Sequence, residues 1–280
     1  VANGANVTVT GDTTNTGTLT ATGDYNGNVN NTTGVVTVAS TGSIGGNLVN
    51  NNNATVNGDI DGTTQNNAGA NLNLNGTSTL AGQVTNDGTL RVQGSGNVTA
   101  TTGGINNETV IVQNGGALNG NIDNNDSVTL QNGGQVTGNI TNDDAGAVLT
   151  ANGNAQINGN IVTNTGTVNL NGTSVLTGDL DNDNIAQVNG TVQGTTNNSG
   201  TLTVNGTVGV LNNEAGGTTN LASGGAITGN VDNQAATSTI NAAGGSITGD
   251  VQNDGTFNVT GNTNVTGNFV NDQLVDGAGG

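Results

Sequence analysis

The sequence predicts an all-β fold: a single parallel β-solenoid (β-helix) of about fifteen coils, about 18 residues and three short strands per coil. Three observations predict it. A seven-residue unit recurs along nearly the whole chain, its apolar residues alternate with period two, and no stretch carries the 3.6-residue period of a helix.

The unit reads apolar-x-Gly-x-apolar-x-Asn. Ile44-Gly45-Gly46-Asn47-Leu48-Val49-Asn50 is one copy, and Leu80-Ala81-Gly82-Gln83-Val84-Thr85-Asn86 is another. Leu118, Val136, Leu176, Ile227, Ile247 and Val265 open further copies, as does Tyr25, and each closes on Asn six residues later. Ile157 opens a copy complete to Ile161, and weaker copies open at Val9, Val56, Val98, Val192 and Val208. A second element precedes many copies. It is an apolar-x-apolar pair whose second member lies six residues upstream: Leu72/Leu74, Leu90/Val92, Val110/Val112, Val128/Leu130, Val168/Leu170 and Phe257/Val259. Asn-Gly, Asp-Gly and Gly-Gly dipeptides between the pieces tolerate positive φ and mark tight turns.

Each coil then turns about four apolar side chains inward, stacked on like residues above and below. Asn at matching turn positions is expected to form side-chain ladders between coils. A complete absence of Pro fits, because Pro inside a coil would delete a ladder donor. At the usual strand spacing the coils would make a column roughly 70 Å long. The array is expected to be continuous over residues 1–271, with 272–280 an irregular tail or the start of a further segment. The period blurs near 51–66 and 192–214, which we read as long turns.

Composition excludes several chemistries. Of 280 residues, 55 are Asn, 48 Thr and 50 Gly, with no Cys, His, Lys, Met, Pro or Trp. Arg91 is the single base against 19 acids, for a net charge of −18, which excludes basic-patch binding to nucleic acid or to anionic lipid. A thiolate nucleophile, a Cys/His zinc site and a His proton shuttle have no residues to build them. No run approaches the ~18 apolar residues that span a bilayer. The chain opens at Val1, and we read it as a processed or excised piece of an exported protein.

Runs such as Ser246-Ile247-Thr248-Gly249-Asp250-Val251-Gln252-Asn253-Asp254-Gly255-Thr256 and Thr89-Leu90-Arg91-Val92-Gln93 resemble the β-strand-repeat regions of Gram-negative surface proteins. These are autotransporter passenger domains and large adhesins of the filamentous-haemagglutinin type. The likeness covers nearly the whole chain and is one of repeat style. It implies export across the outer membrane, a β-helical stalk and a place at the cell surface.

Candidate sites are few. Asp179-Leu180-Asp181-Asn182-Asp183 opens like a calcium loop, but Gly190 stands where an EF-hand needs its twelfth-position carboxylate. A looser Ca²⁺ site at acidic turns, here or at Asp123/Asp126 and Asp143/Asp144, competes with a solvated acidic corner. A paired-carboxylate glycosidase would need aromatic sugar platforms, and the chain holds one Tyr and two Phe. Thr18/Thr20 and Thr201/Thr203, with Thr89, Thr109, Thr167, Thr218 and Thr256, form outward columns like an ice-binding face, but Arg91, Ile111, Asn169, Asn220 and Asn258 replace the second Thr. Asn-x-Ser/Thr triplets, at Asn6, Asn75, Asn97, Asn139, Asn171 and Asn205 among others, follow from composition. Gly216-Gly217 lacks the Lys of a phosphate loop.

No catalytic, cofactor or metal residue is therefore assigned, and the chain is expected not to be an enzyme. The expected function is an extracellular structural or adhesive protein of a Gram-negative bacterium, a stalk or filament subunit that assembles head to tail with itself. The alternative is a passenger that binds glycans or neighbouring cells; a Ca²⁺-dependent surface layer and an ice-binding protein follow.

Overall fold

The computed structural model describes residues 1–94, 96–272 and 275–277; of these, 101–104, 106–107 and 275–277 are described by backbone alone. The fold is an all-β parallel β-solenoid without helices, of about 14 turns at about 18 residues per turn. The chain divides into two compact units, residues Val1–Asn139 and Ile140–Gly280.

Each coil has three faces. In the second unit one coil runs Thr167–Leu170, Val175–Leu176 and Leu180–Asn182, and the next runs Ile185–Val188 and Thr191–Asn198, its second and third strands fused. The apolar-x-apolar pair is the first strand, the opening residue of the seven-residue unit sits on the second, and the apolar-x-Asn end is the third. Pairing is parallel and nearly in register: Val168 meets Ala186, Ala186 meets Leu202, and Leu202 meets Thr219. The first unit repeats the plan, with Val36, Ala54, Leu72 and Leu90 stacked along its first face.

The core is therefore four columns of side chains, two from the first face and one from each of the others. Leu72, Leu74, Leu80 and Val84 fill one coil of the first unit, and Val168, Leu170, Leu176 and Leu180 fill one of the second, all without solvent exposure. With about 25 cal/mol gained per Å² of apolar surface buried, stacking like on like is the only large hydrophobic gain open to coils this small. β-Branched Val and Ile at these sites also suit the pleat.

The motif's Gly is explained by packing. A Cβ on Gly178 would lie 2.3 Å from the carbonyl oxygen of Gly159 one coil below, and one on Gly249 would lie 2.4 Å from that of Gly229. The corner brings backbone against backbone, so only Gly fits. At another corner Asn114 and Gly115 take φ of 54° and 79°, and Gly116 N–H closes the turn on the Gln113 carbonyl at 3.0 Å.

Two weak copies are placed differently from the sequence reading. Val7, not Val9, pairs with Tyr25 on the second face. Val56 belongs to the first-face core, and the second-face residue of its coil is Ile60, which pairs with Ile44. The copy is Ile60-Asp61-Gly62-Thr63-Thr64-Gln65-Asn66, missed because Thr64 stands at the apolar position. In the Ile157 copy the extra residue is Val162, bulged out between Ile140↔Ile161 and Thr141↔Thr163 and 44% exposed. Val275–Gly277, inside the tail expected to be irregular, pairs in parallel with Phe257–Val259; the rest of 273–280 lies outside the described residues.

Candidate assembly surface

Two side-chain ladders run up the third face. The first is the motif's Asn, fully buried at Asn31, Asn50, Asn66 and Asn86 of one unit and from Asn142 to Asn253 in the other. Asn31 Nδ2 donates to Asn50 Oδ1 at 2.8 Å, Asn50 to Asn66 at 2.8 Å and Asn66 to Asn86 at 2.7 Å. In the second unit Asn142, Asn164, Asn182, Asn198, Asn213, Asn233, Asn253 and Asn271 continue the pattern at 2.6–2.8 Å. The second amide hydrogen goes to a backbone carbonyl of the next turn's first strand, as from Asn164 to Ile185 at 2.9 Å and from Asn182 to Thr201 at 3.2 Å. Both hydrogens and the oxygen are used, which makes a buried amide tolerable.

The second ladder stands one residue before the third strand in those coils that carry Asn or Asp there. Its side-chain oxygen accepts the backbone N–H of the equivalent residue one coil on: Asn28 from Asn47 at 2.9 Å, Asn160 from Asp179 at 2.9 Å, Asp250 from Asn268 at 2.7 Å. Both ladders are polar. In the described bonds the amides of the first donate toward the C-terminal side, and the oxygens of the second accept from that side.

The first unit opens on the strand Asn6–Asn15, most of which is exposed. Asn15 joins the first ladder by donating to Asn31 Oδ1 at 2.9 Å. Above it Tyr25 is 4% exposed and its hydroxyl pairs with the Thr13 hydroxyl. Phe269 continues the column of Leu211, Val231 and Val251, yet is 39% exposed, and neighbouring Val270 is 48% exposed. Phe269 meets buried Phe257 edge to face, ring centres 5.2 Å apart. These rings, with Val259, Thr263, Val265 and Asn271, line a cavity of about 330 Å³.

Of the acidic residues read from sequence, Asp179 and Asp183 are spent on hydrogen bonds between coils, and Asp179 is part of the second ladder. Asp179 accepts the Thr195 backbone N–H at 2.7 Å, and Asp183 accepts the Ser199 hydroxyl at 2.7 Å. Asp181 points outward, and burial, then the charge of Asp183, raises its pKa above the ordinary carboxylate range. Gly190 lies in a different corner, against Ser174. Asp123 and Asp126 are exposed, and Asp144 closes its own turn on the Gly146 N–H at 3.0 Å. Among the described residues no three acidic side chains gather as a metal-binding group. The outward Thr residues do line up, with Thr201 beside Thr218 and Thr218 beside Thr239, but Ile185 and Val148 share the column. No described helix is long and apolar enough to cross a membrane.

A parallel β-solenoid with two directional side-chain ladders is the class that fold and surface define. A family model described as Bactofilin, polymer-forming cytoskeletal, matches residues 3–87. No curated protein matches the sequence. Among solved structures, the crystal structure of a TibC-catalysed, hyper-glycosylated TibA fragment is similar at 18% identity and a TM-score of 0.49, covering 96% of this chain and 98% of that one.

Proposed function

We propose that this chain is a non-catalytic structural subunit that polymerises by stacking its terminal coils, and that it serves outside a Gram-negative cell as an adhesive stalk or filament. The observation that carries the assembly is the in-register stacking of like side chains and Asn amides from coil to coil, which a second copy can continue. A terminal strand with unpaired backbone edge is a template for another chain unless it is capped. The match of residues 3–87 to a polymer-forming family supports the same reading. The placement outside the cell rests on the repeat style, the acidic surface and the lack of Cys. A glycan-binding role draws less support: Tyr25 and Phe257 are buried, and Phe269 faces the core end, so none of the three aromatics offers an outward platform for a sugar.

The second reading, an intracellular polymer, is favoured by the cytoskeletal description of that family model. Electron microscopy of purified protein tests assembly. Filaments that lengthen with concentration are expected, and monomers alone at the highest concentration reached would remove the reading. Protease added to intact cells separates the two locations: loss of the protein places it outside, and full protection places it inside.

A further inference from the structure

We infer that the first face of the second unit pairs with the same face of another copy, the two solenoid axes running parallel and side by side. This contact is lateral and does not rest on end-to-end stacking. Residues 140–280 hold 11 of the 19 acids and no base, so two such units repel in most approaches. The acids are unevenly placed. They gather on the third face and its two corners, as at Asp181, Asp183 and Asp250. The seven first-face strands from Val148–Ala151 to Thr256–Val259 carry none, and Asp276 enters the column only one strand further on, beside Asn258. The second face is acid-free as well, but most of its strands span two or three residues against four, so it offers less surface.

Each first-face strand turns two residues outward, which makes two columns. One runs Val148, Thr167, Ile185, Thr201, Thr218, Thr239 in parallel register, with Val148 37% and Ile185 47% exposed. The other is joined along its length by amides, Asn241 donating to Asn220 at 3.0 Å and Asn258 to Asn241 at 2.9 Å. Uncharged, β-branched columns at the ~4.8 Å strand spacing are what dry contacts between sheets are built from, and a second copy repeats at that same spacing.

The corners that flank the face decide the orientation. The corner before it is acidic, with Asp183, Glu214 and Asp254. The corner after it is a ladder of neutral amides: Asn171 donates to Asn152 at 3.1 Å, Asn189 to Asn171 at 2.7 Å and Asn205 to Asn189 at 2.8 Å. With axes parallel, a two-fold rotation lays the acidic corner of one copy against the amide corner of the other. With axes antiparallel, acid would meet acid along the whole edge. Seven strands make a patch roughly 34 Å by 13 Å, about 900 Å² in total over both copies, at the low end for a specific contact. A trapping reagent is therefore the suitable probe.

The chain has no Cys, so an engineered thiol reports one position. Val148 and Thr239 lie five strands apart in one column, and Gln156 is exposed on the second face. Parallel pairing brings each first-face residue near its own counterpart. V148C alone and T239C alone, treated with a short bis-maleimide at high protein concentration, are therefore each expected to give covalent dimer on a denaturing gel, and Q156C only monomer. Adding I185D to V148C puts an acid on the face and is expected to abolish the dimer. Each variant is first matched to the parent by circular dichroism. Dimer from only one of the two first-face variants would mean antiparallel axes and overturn the arrangement. Equal dimer from Q156C, or dimer that survives I185D, would overturn the face. No dimer from any variant would overturn the pairing and leave the face to a partner of another kind. Filaments in the microscope bear on end-to-end stacking alone and change none of these results.

Discussion

Single side chains carry a disproportionate share of the stability, because each coil has so few inward positions. Thr64 stands between Leu48 and Val84 in the third-face column, and Thr196 between Leu180 and Leu211. Both are buried and their hydroxyls have no hydrogen-bond partner. Thr219, also inward, differs: its hydroxyl donates to Asn213 Oδ1 at 3.0 Å. Replacing an unpartnered hydroxyl by a methyl of the same shape removes a desolvation cost, so T64V and T196V should each stabilise by about 1 kcal/mol, and T219V should not. Urea denaturation of the three variants checks the contrast, and a loss of stability in T64V would contradict it. Asp181 gives the pH-dependent case. Its folded pKa is raised, so the proton is held more tightly in the folded chain. Its contribution favours folding below the unfolded pKa and is lost as pH rises through the folded one. D181N should therefore raise the melting temperature at pH 7, with the gain fading below pH ~4, the ordinary Asp value. The substitution would also extend the outward Asn212–Asn197 bond, 2.9 Å, by one coil. An advantage that persisted undiminished at pH 3 would point to that bond and not to charge.

Among the elements, the Asn ladder is the least replaceable. Removing Asn182 by substitution with Ala deprives Asn164 of its acceptor and leaves Asn198 Oδ1 and the Thr201 carbonyl without their donor. Buried polar groups stripped of partners cost about 1–3 kcal/mol each, so N182A is expected to lose about 3–5 kcal/mol. Hydrogen exchange should localise the damage to the coils on either side, because a solenoid's stability sums over neighbouring coils. Uniform loss of protection across the second unit would argue for a more cooperative core. The corner Gly works by a different constraint. G178A should be destabilising because its Cβ would meet backbone, which moves less readily than a side chain. The ladder was legible as a repeated Asn, but its second bond, to the next turn's backbone, was not, since that partner lies 19 to 26 residues away in sequence.

For the whole molecule the dominant quantity is charge. A net charge of −18 with one Arg makes every copy repel every other. If copies assemble, screening should lower the concentration at which filaments appear. Raising salt from about 10 mM to 150 mM shortens the Debye length from about 30 to 8 Å, so light scattering should show assembly beginning at lower protein concentration. Onset unchanged by salt would mean that the approaching ends are not held apart by their acidic groups.

The fold class, the number of strands per coil and the identity of the four inward columns could all be read from the sequence. A solenoid repeats its chemistry at a fixed spacing, and stacking requires like residues at like positions. Where the repeat was disguised the reading slipped, at Ile60 because Thr64 broke the apolar pattern, and at Ile157 because Val162 bulges out of the strand. The aspartates show the limit most clearly. In sequence Asp179, Asp181 and Asp183 alternate like ligands, but the coil spends two of them on hydrogen bonds to the next coil and turns the third outward. Which way the ladders point was decided only in three dimensions, because it depends on what lies one coil above and below, about 18 residues distant along the chain.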